Sequence, residues 1–345
     1  MDSVTNINNK KDAMHAVPLE DALSLTGFGR YQKWIALIGG LCWMACGFQN
    51  SLNAYILPSV KCDMHVTSSM MGLFNAMFLA GGLSSGLLWG VLVDSIGRWP
   101  VIVFGMASDA TFTFISSFAQ NFYLLLVFRF LNGFVVGGPA AIILAYVGEF
   151  QPHDKRRQVL CYLGFFWTLS WVILPGLAWM VVPLDWEVDW GTWKYNSWRL
   201  LILMVGCPSL LSALLLSSYP ESPKFLLTQG RDHEALQILA NIYSVNTGQP
   251  SSTYPVKSLE YSSIGKRPKT EGKSICKPFM LMLEQFRALL TMPVLPITLL
   301  GSYLFFSNMF GYYGLGLWLP ELMNRFEAHY STSNVTVSVC QLEPA

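Results

Sequence analysis

Charge is what this sequence has least of. Only 12% of its 345 residues are Asp, Glu, Lys or Arg, where a soluble domain carries about a quarter. With 52% hydrophobic residues and a mean hydropathy of +0.40, there are too few polar side chains to coat a water-facing globule of this size. The net charge of +1 says nothing about nucleic acid, but no basic patch with interleaved aromatics is present, so no nucleic-acid partner is expected. The seven cysteines form no CxxC pair and no Cys/His cluster at metal spacing, so no metal site is expected. Cys42, Cys46, Cys161 and Cys207 sit in apolar runs and read as small packing residues. His15, His65, His153, His233 and His329 all fall in loops or termini. No nucleophile elbow, triad context or glycine-rich phosphate loop is present, so neither an enzyme nor a cofactor is expected. Residues 1–30 lack the apolar core and cleavage site of a signal peptide.

Long apolar runs are present instead. Seven segments, 34–57, 70–93, 100–118, 121–147, 159–182, 199–218 and 294–319, approach the ~20 residues a helix needs to cross a bilayer core. Only helices satisfy their own backbone over such lengths in lipid, so the fold class is all-α transmembrane. The first six runs have short connections and must alternate in direction. The expected organisation is a tail at 1–33, a six-span half-bundle at 34–218, a loop at 219–293, a seventh span at 294–320 and the start of a further loop at 321–345.

Lys and Arg orient this scheme. With the N-terminus in the cytosol, cytosolic segments hold Lys10, Lys11, Arg30, Lys33, Arg98, Lys155, Arg156 and Arg157, and the 219–293 loop adds nine more. The opposite side holds only Lys61, Lys194, Arg199 and Arg325. The 183–198 loop on that side is acidic and aromatic, with Asp185, Trp186, Glu187, Asp189, Trp190 and Trp193. Asn334-Val335-Thr336 is a glycosylation sequon, and it falls on the lumenal or extracellular side. Cys62 and Cys340 share that side, and a bridge between them is compatible with the topology.

In the 219–293 loop, Ser222 is placed to cap a short helix with Pro223 at its first position. Asp232 is placed to cap a second, whose Ala235, Leu236, Ile238, Leu239, Ile242 and Tyr243 share one stripe. That stripe is expected to pack under the bundle. Residues 245–275, rich in Ser, Pro, Gly and Lys, read as a flexible linker.

Three motifs stand out. Between the second and third spans lies Gly90-x-Leu92-x-Asp94-x-x-Gly97-Arg98. Gly97 permits a backbone turn closed to other residues, and Asp94 and Arg98 can bond helix ends and each other. The fourth span carries Arg129-x-x-x-Gly133-x-x-x-Gly137-Gly138-Pro139. Its glycines, with Gly82, Gly86 and Gly90 on the second span, suit close helix approach in lipid. A charge at Arg129 inside the membrane needs a partner. Asp109 is the one acid at similar depth, roughly 13 Å from the turn at 119–120. The two are expected to pair; the alternative is that each faces a water-filled cavity. The third motif is Glu149 followed by Lys155, Arg156 and Arg157, a second charge cluster expected beside Asp94 and Arg98.

The 90–98 loop resembles the signature of the major facilitator superfamily. With it, Leu57-Pro58-Ser59, Phe166-Trp167, Ser197-Trp198-Arg199 and Pro220-Glu221-Ser222-Pro223-Lys224-Phe225 make the chain similar to the synaptic vesicle glycoprotein 2 family. The resemblance covers about residues 25–245 and the seventh span. It implies a six-helix N-terminal half of a two-half transporter with a central cavity that opens alternately to each side. It also implies a cytosolic gating cluster of Gly90, Asp94, Gly97, Arg98, Glu149 and Arg156, and Trp167 as a cavity-lining candidate, although aromatics in spans mostly pack. Two departures stand against the family pattern. Trp99 replaces a second basic residue, and the first-span stretch Cys46 to Ser51 has neutral Gln49, a second cavity-lining candidate, where relatives tend to carry acids.

The leading functional reading is a secondary transporter of an unidentified small solute, in contact with membrane lipid, that needs a C-terminal half or a second chain. The alternative is a vesicle membrane glycoprotein acting in binding and trafficking. A heptahelical receptor fits neither the cytosolic N-terminus nor the 94–98 loop.

Overall fold

The computed structural model describes residues 17–260, apart from 65, 190 and 192, and residues 287–327, apart from 317, 320, 321 and 324. The Asn334 sequon and Cys340, with its suggested bridge to Cys62, lie outside the described residues, as do residues 1–16 and 261–286.

Each expected apolar run is a helix. After a short α1 (Leu19–Leu25) come α2 (Arg30–Met64), α3 (Ser68–Ile96), α4 (Arg98–Ser117), α5 (Phe122–Gly148), α6 (His153–Val181) and α7 (Ser197–Ser217). Local chemistry sets their starts: the side chain of Thr67 accepts from Met70 N at the head of α3, and that of Asn121 from Tyr123 N at the head of α5. Five of these helices are long and apolar enough to cross a membrane, and α3 makes a sixth across a 46° bend between Gly86 and Leu88. The bend follows directly on the run Gly81-Gly82-Leu83-Ser84-Ser85-Gly86, the kind of sequence where helices kink. After α8 (Pro223–Thr228) and α9 (Asp232–Thr247) comes α10, Leu295–Gly316. Its 22 residues give about 33 Å, enough to span, although Tyr303, Asn308, Tyr312 and Tyr313 make it less apolar. A small antiparallel hairpin, β1 (Glu187–Asp189) with β2 (Lys194–Asn196), precedes α7.

In the bundle α3 packs on α5, α4 on α5 and α7, and α2 on α6 and α7. The α3–α5 contact is backbone to backbone: a Cβ at Gly133 would strike the Phe78 carbonyl, and one at Gly81 the Phe130 carbonyl. Of the anticipated small residues, Gly137 and Gly138 also sit tightly, against Ser85 and Trp89. Gly82 makes ordinary contact and Gly86 meets nothing within 4 Å; Gly81 does the work expected of them. Cys42 and Cys46 are buried, but Cys161 and Cys207 are exposed. These two do not pack in the core, because their apolar runs turn one face outward, as a bundle in lipid allows.

The apolar core falls into two clusters. One gathers Tyr31, Ile35, Met106 and Tyr146 toward the end where α2, α4 and α6 begin; the other gathers Leu52, Phe74, Leu125 and Leu201 toward the opposite end. Lys33, Arg98, Lys155 and Arg156 lie at the first of these, the basic end.

Under the basic end, Ala235, Leu239 and Ile242 of α9 are buried, as their stripe requires. Asp232 is not a cap. Arg231 occupies that position without a side-chain bond, and Asp232 and Glu234 sit in the first turn of α9, where the helix dipole favours acids. The flexible linker expected at 245–275 is wrong for its first part. Gly248 ends α9 in the left-handed conformation, Tyr254 and Val256 are buried, and the Tyr254 hydroxyl donates to Ala22 O at 2.6 Å. Val17 pairs with Leu259 as an isolated parallel bridge. The aromatic and β-branched residues scattered among the Ser and Pro carry this packing. The same contacts hold α1 and residue 17 in place, so the later part of the expected 1–33 tail packs against the 254–259 segment.

Candidate functional site

A polar network crosses the bundle where the two apolar clusters meet. Gln49 from α2, Asp109 and Thr113 from α4, Arg129 and Asn132 from α5, and Ser209 from α7 are each 0% exposed. Asp109 is the acceptor at its centre. Its Oδ1 receives Asn132 Nδ2 at 2.7 Å, and its Oδ2 receives Gln49 Nε2 at 2.9 Å and Ser209 Oγ at 2.7 Å. Asn132 Nδ2 and Gln49 Nε2 both also donate to Thr113 Oγ1, at 2.9 and 2.6 Å. Arg129 Nη1 donates to Gln49 Oε1 at 3.3 Å.

The expected Asp109–Arg129 pair is therefore indirect. No ion pair within 4 Å joins them among the described residues, and the Gln49 amide lies between, carbonyl toward the guanidinium and NH2 toward the carboxylate. That orientation aligns its dipole with both charges and makes a neutral residue the link across three helices. Cavity-lining Gln49 is a correction: it is 0% exposed because three neighbours close over it. The alternative of two charges facing water fails for the same reason. Nε and Nη2 of Arg129 and Oδ1 of Asn132 have no partner among the described residues. Trp167 is half-buried and packs on Trp43, ring centroids 4.8 Å apart.

A second cluster closes the basic end. Gly97 has φ +107°, and a Cβ there would run into the Glu221 carboxylate. Gly97 precedes α4 and offers no side chain to cap it. Glu221, 123 residues from Arg98, does so instead: its carboxylate accepts from the backbone NH of Arg98 (3.2 Å) and Trp99 (3.2 Å), and from Ser222 NH (2.8 Å). The Arg98 guanidinium pairs with Glu149 at 2.9 Å, and Ser222 Oγ donates to the other Glu149 oxygen at 2.5 Å. Ser222 also caps α8 through Phe225 N, with Pro223 in the first turn, as expected. Burial pushes both carboxyls, Glu149 and Glu221, above their ordinary range. At Glu149 the Arg98 charge pulls back toward the ionised form, and at Glu221 the backbone NH bonds do.

Asp94 sits exposed on the last turn of α3, and Gly90 lies one turn earlier, half-buried. Arg156 does not reach Glu149. It pairs with Glu20 of α1 at 2.8 Å and donates from Nε to Gly148 O at 2.8 Å. The two residues do share the wall of a cavity of about 220 Å³ with Glu20 and Lys224. Trp99, in place of a second cation, donates its indole NH to Leu216 O at 2.8 Å, tying α4 to the end of α7.

At the opposite end an unanticipated pair fixes three elements. Arg199, 1% exposed, pairs with Asp63 at 2.9 Å, reaches Ala119 O with Nε and Nη2, and bonds Asn196 Oδ1 at 2.7 Å. The sequence placed Arg199 among the few cations of that side and gave it no partner.

The model of the Major Facilitator Superfamily matches residues 39–342. Synaptic vesicle glycoprotein 2B of Mus musculus is 29% identical over 334 residues, 92% of this chain and 49% of that protein. Synaptic vesicle glycoprotein 2A of Homo sapiens is 28% identical over 333 residues, 90% of this chain and 44% of that protein. The chain thus spans about half the length of these curated relatives. Among solved structures, the xylose transporter XylE from E. coli, in a partially occluded inward open conformation, superposes with a TM-score of 0.54 at 20% identity. The match covers 64% of this chain and 57% of that one, and it speaks to the fold.

Proposed function

The chain belongs to the major facilitator superfamily, and from that premise we propose that it forms the N-terminal half and seventh span of a secondary transporter for a small solute. The observation that carries this reading is the buried Asp109–Gln49–Arg129 network. Charge at such depth is costly and is retained where it acts. In this fold a solute site lies at the interface of two helix bundles near the midplane, so the working unit adds a second bundle, on the same polypeptide or another. The Lys and Arg distribution supports placing the basic end and the N-terminus in the cytosol. There, the Arg98–Glu149–Ser222 and Glu221–Gly97 contacts act as a latch whose release accompanies opening. Uptake into proteoliposomes by this chain joined to a complementary second bundle tests the reading. Solute-specific flux that is lost in Arg129→Ala is expected; flux indifferent to Arg129 would sink it.

A second reading is a vesicle membrane glycoprotein that acts mainly in binding and trafficking. The named relatives favour it, as does neutral Gln49 in place of a first-span acid. Partner binding retained in a complete protein that passes no solute would decide for it.

A further inference from the structure

Between the beginnings of α2 and α6 lies a cavity of about 490 Å³ that the transport reading does not use. Lys33 and Lys155, each in the first turn of its helix, stand at its mouth, and Gln158, Tyr162, Leu37 and Phe166 line it further in. Both lysines are exposed, and neither ammonium has an acidic partner among the described residues. Across residues 28–37 and 153–163 the exposed charged side chains are Arg30, Lys33, Lys155 and Arg157 against a single acid, Asp154. Arg156, in the same stretch, is already held by Glu20.

Polarity is graded along the helix axis. The ammonium groups come first, then the Gln158 amide and the Tyr162 hydroxyl, which bond each other at 3.4 Å. Then come Leu37 and the Phe166 ring, seated so closely on Gly40 that a Cβ there would meet it at 2.5 Å. From Lys155 to Phe166 the rise is about 16 Å, roughly the depth from a lipid phosphate into the upper acyl chains. Tyr162 is 61% and Leu37 48% exposed, so the cavity opens sideways from the bundle. A soluble anion would find the cations but would leave the apolar wall wet. A zwitterionic lipid would fill the wall but bring no net charge to the cations.

We propose that this cavity is a binding site for one anionic phospholipid, its headgroup held by Lys33 and Lys155 and its chains lying on Leu37 and Phe166. Basic pockets between spans at the cytosolic surface take such headgroups. The full chain, purified in detergent with equimolar dioleoylphosphatidylserine and dioleoylphosphatidylcholine, is examined by native mass spectrometry. One phosphatidylserine is retained in preference to phosphatidylcholine, and Lys33→Gln/Lys155→Gln weakens that retention about 30-fold. Both lysines are exposed, so the variant melts like the parent. Lys194→Gln, at the opposite end, leaves retention unchanged, and glycerophosphoserine, which has no chains, does not displace the lipid. Equal retention of the two lipids, undiminished retention in the double variant, the same loss in Lys194→Gln, or displacement by glycerophosphoserine each overturns the proposal.

Discussion

At the scale of residues, Gln49 separates the buried charges while connecting them. Gln49→Leu removes the one side-chain acceptor of Arg129 among the described residues and a donor to Asp109. Two charges would be left buried and uncoupled, so a loss of about 3–5 kcal/mol is expected in detergent unfolding. Moving the carboxylate tests the link more sharply. Gln49→Glu alone sets two acids against each other, and Asp109→Asn alone leaves Arg129 without a nearby negative charge. Combined, they restore one acid facing one guanidinium. The double variant should unfold later than the sum of the singles predicts, by at least about 1 kcal/mol; strict additivity would mean that residues 49 and 109 are not coupled.

Glu149 gives a residue-scale pH effect. Burial raises its carboxyl above the ordinary range, against the pull of Arg98, so the folded chain binds that proton more tightly than the unfolded chain. Stability then falls as pH rises from the ordinary glutamate value through the raised one. Glu221 is raised in the same direction. Glu149→Gln should flatten this slope in melting curves taken from mildly acid to neutral pH, without removing the part due to Glu221. An unchanged slope would place the titration elsewhere.

At the scale of elements, glycines at helix contacts differ by what they face. Gly133→Ala drives a methyl into the Phe78 carbonyl, forcing α3 and α5 apart, and should destabilise by about 1–3 kcal/mol. Gly164, in the middle of α6, meets nothing within 4 Å. There Ala should be neutral or stabilising, by up to about 1 kcal/mol, from helix propensity alone. Thermal unfolding of the two variants side by side decides whether backbone approach or propensity governs these positions. The sequence marked Gly133 but not Gly81, because a four-residue repeat of small residues fixes a face and not the height at which a partner crosses it.

At the scale of the whole molecule, α10 stands apart. None of its residues is buried. It meets the bundle where Tyr313 OH accepts from Asn50 Nδ2 at 3.1 Å and where the Tyr312 ring packs on Trp171, centroids 5.3 Å apart. The six-helix core does not lean on it, so a chain ending at residue 290 should melt within a few degrees of the full chain in detergent. A large drop would show that α10 is integral to the half-bundle.

The sequence alone determined where the long apolar helices fall and the membrane class, because hydropathy and length act locally and need no partner. It also marked Asp109, Arg129, Gly97, Arg98 and Glu149, since a charge in an apolar run or a glycine at a tight turn is anomalous wherever the chain goes. Only the tertiary structure decided who meets whom. Gln49 joins Asp109 to Arg129, Glu221 caps α4 from 123 residues away, Arg156 turns to Glu20, and Arg199 draws in Asp63. Side-chain reach is a few ångströms, so such pairings depend on the relative height and rotation of helices. Those are set by the packing of all six spans together and leave no mark in the local pattern.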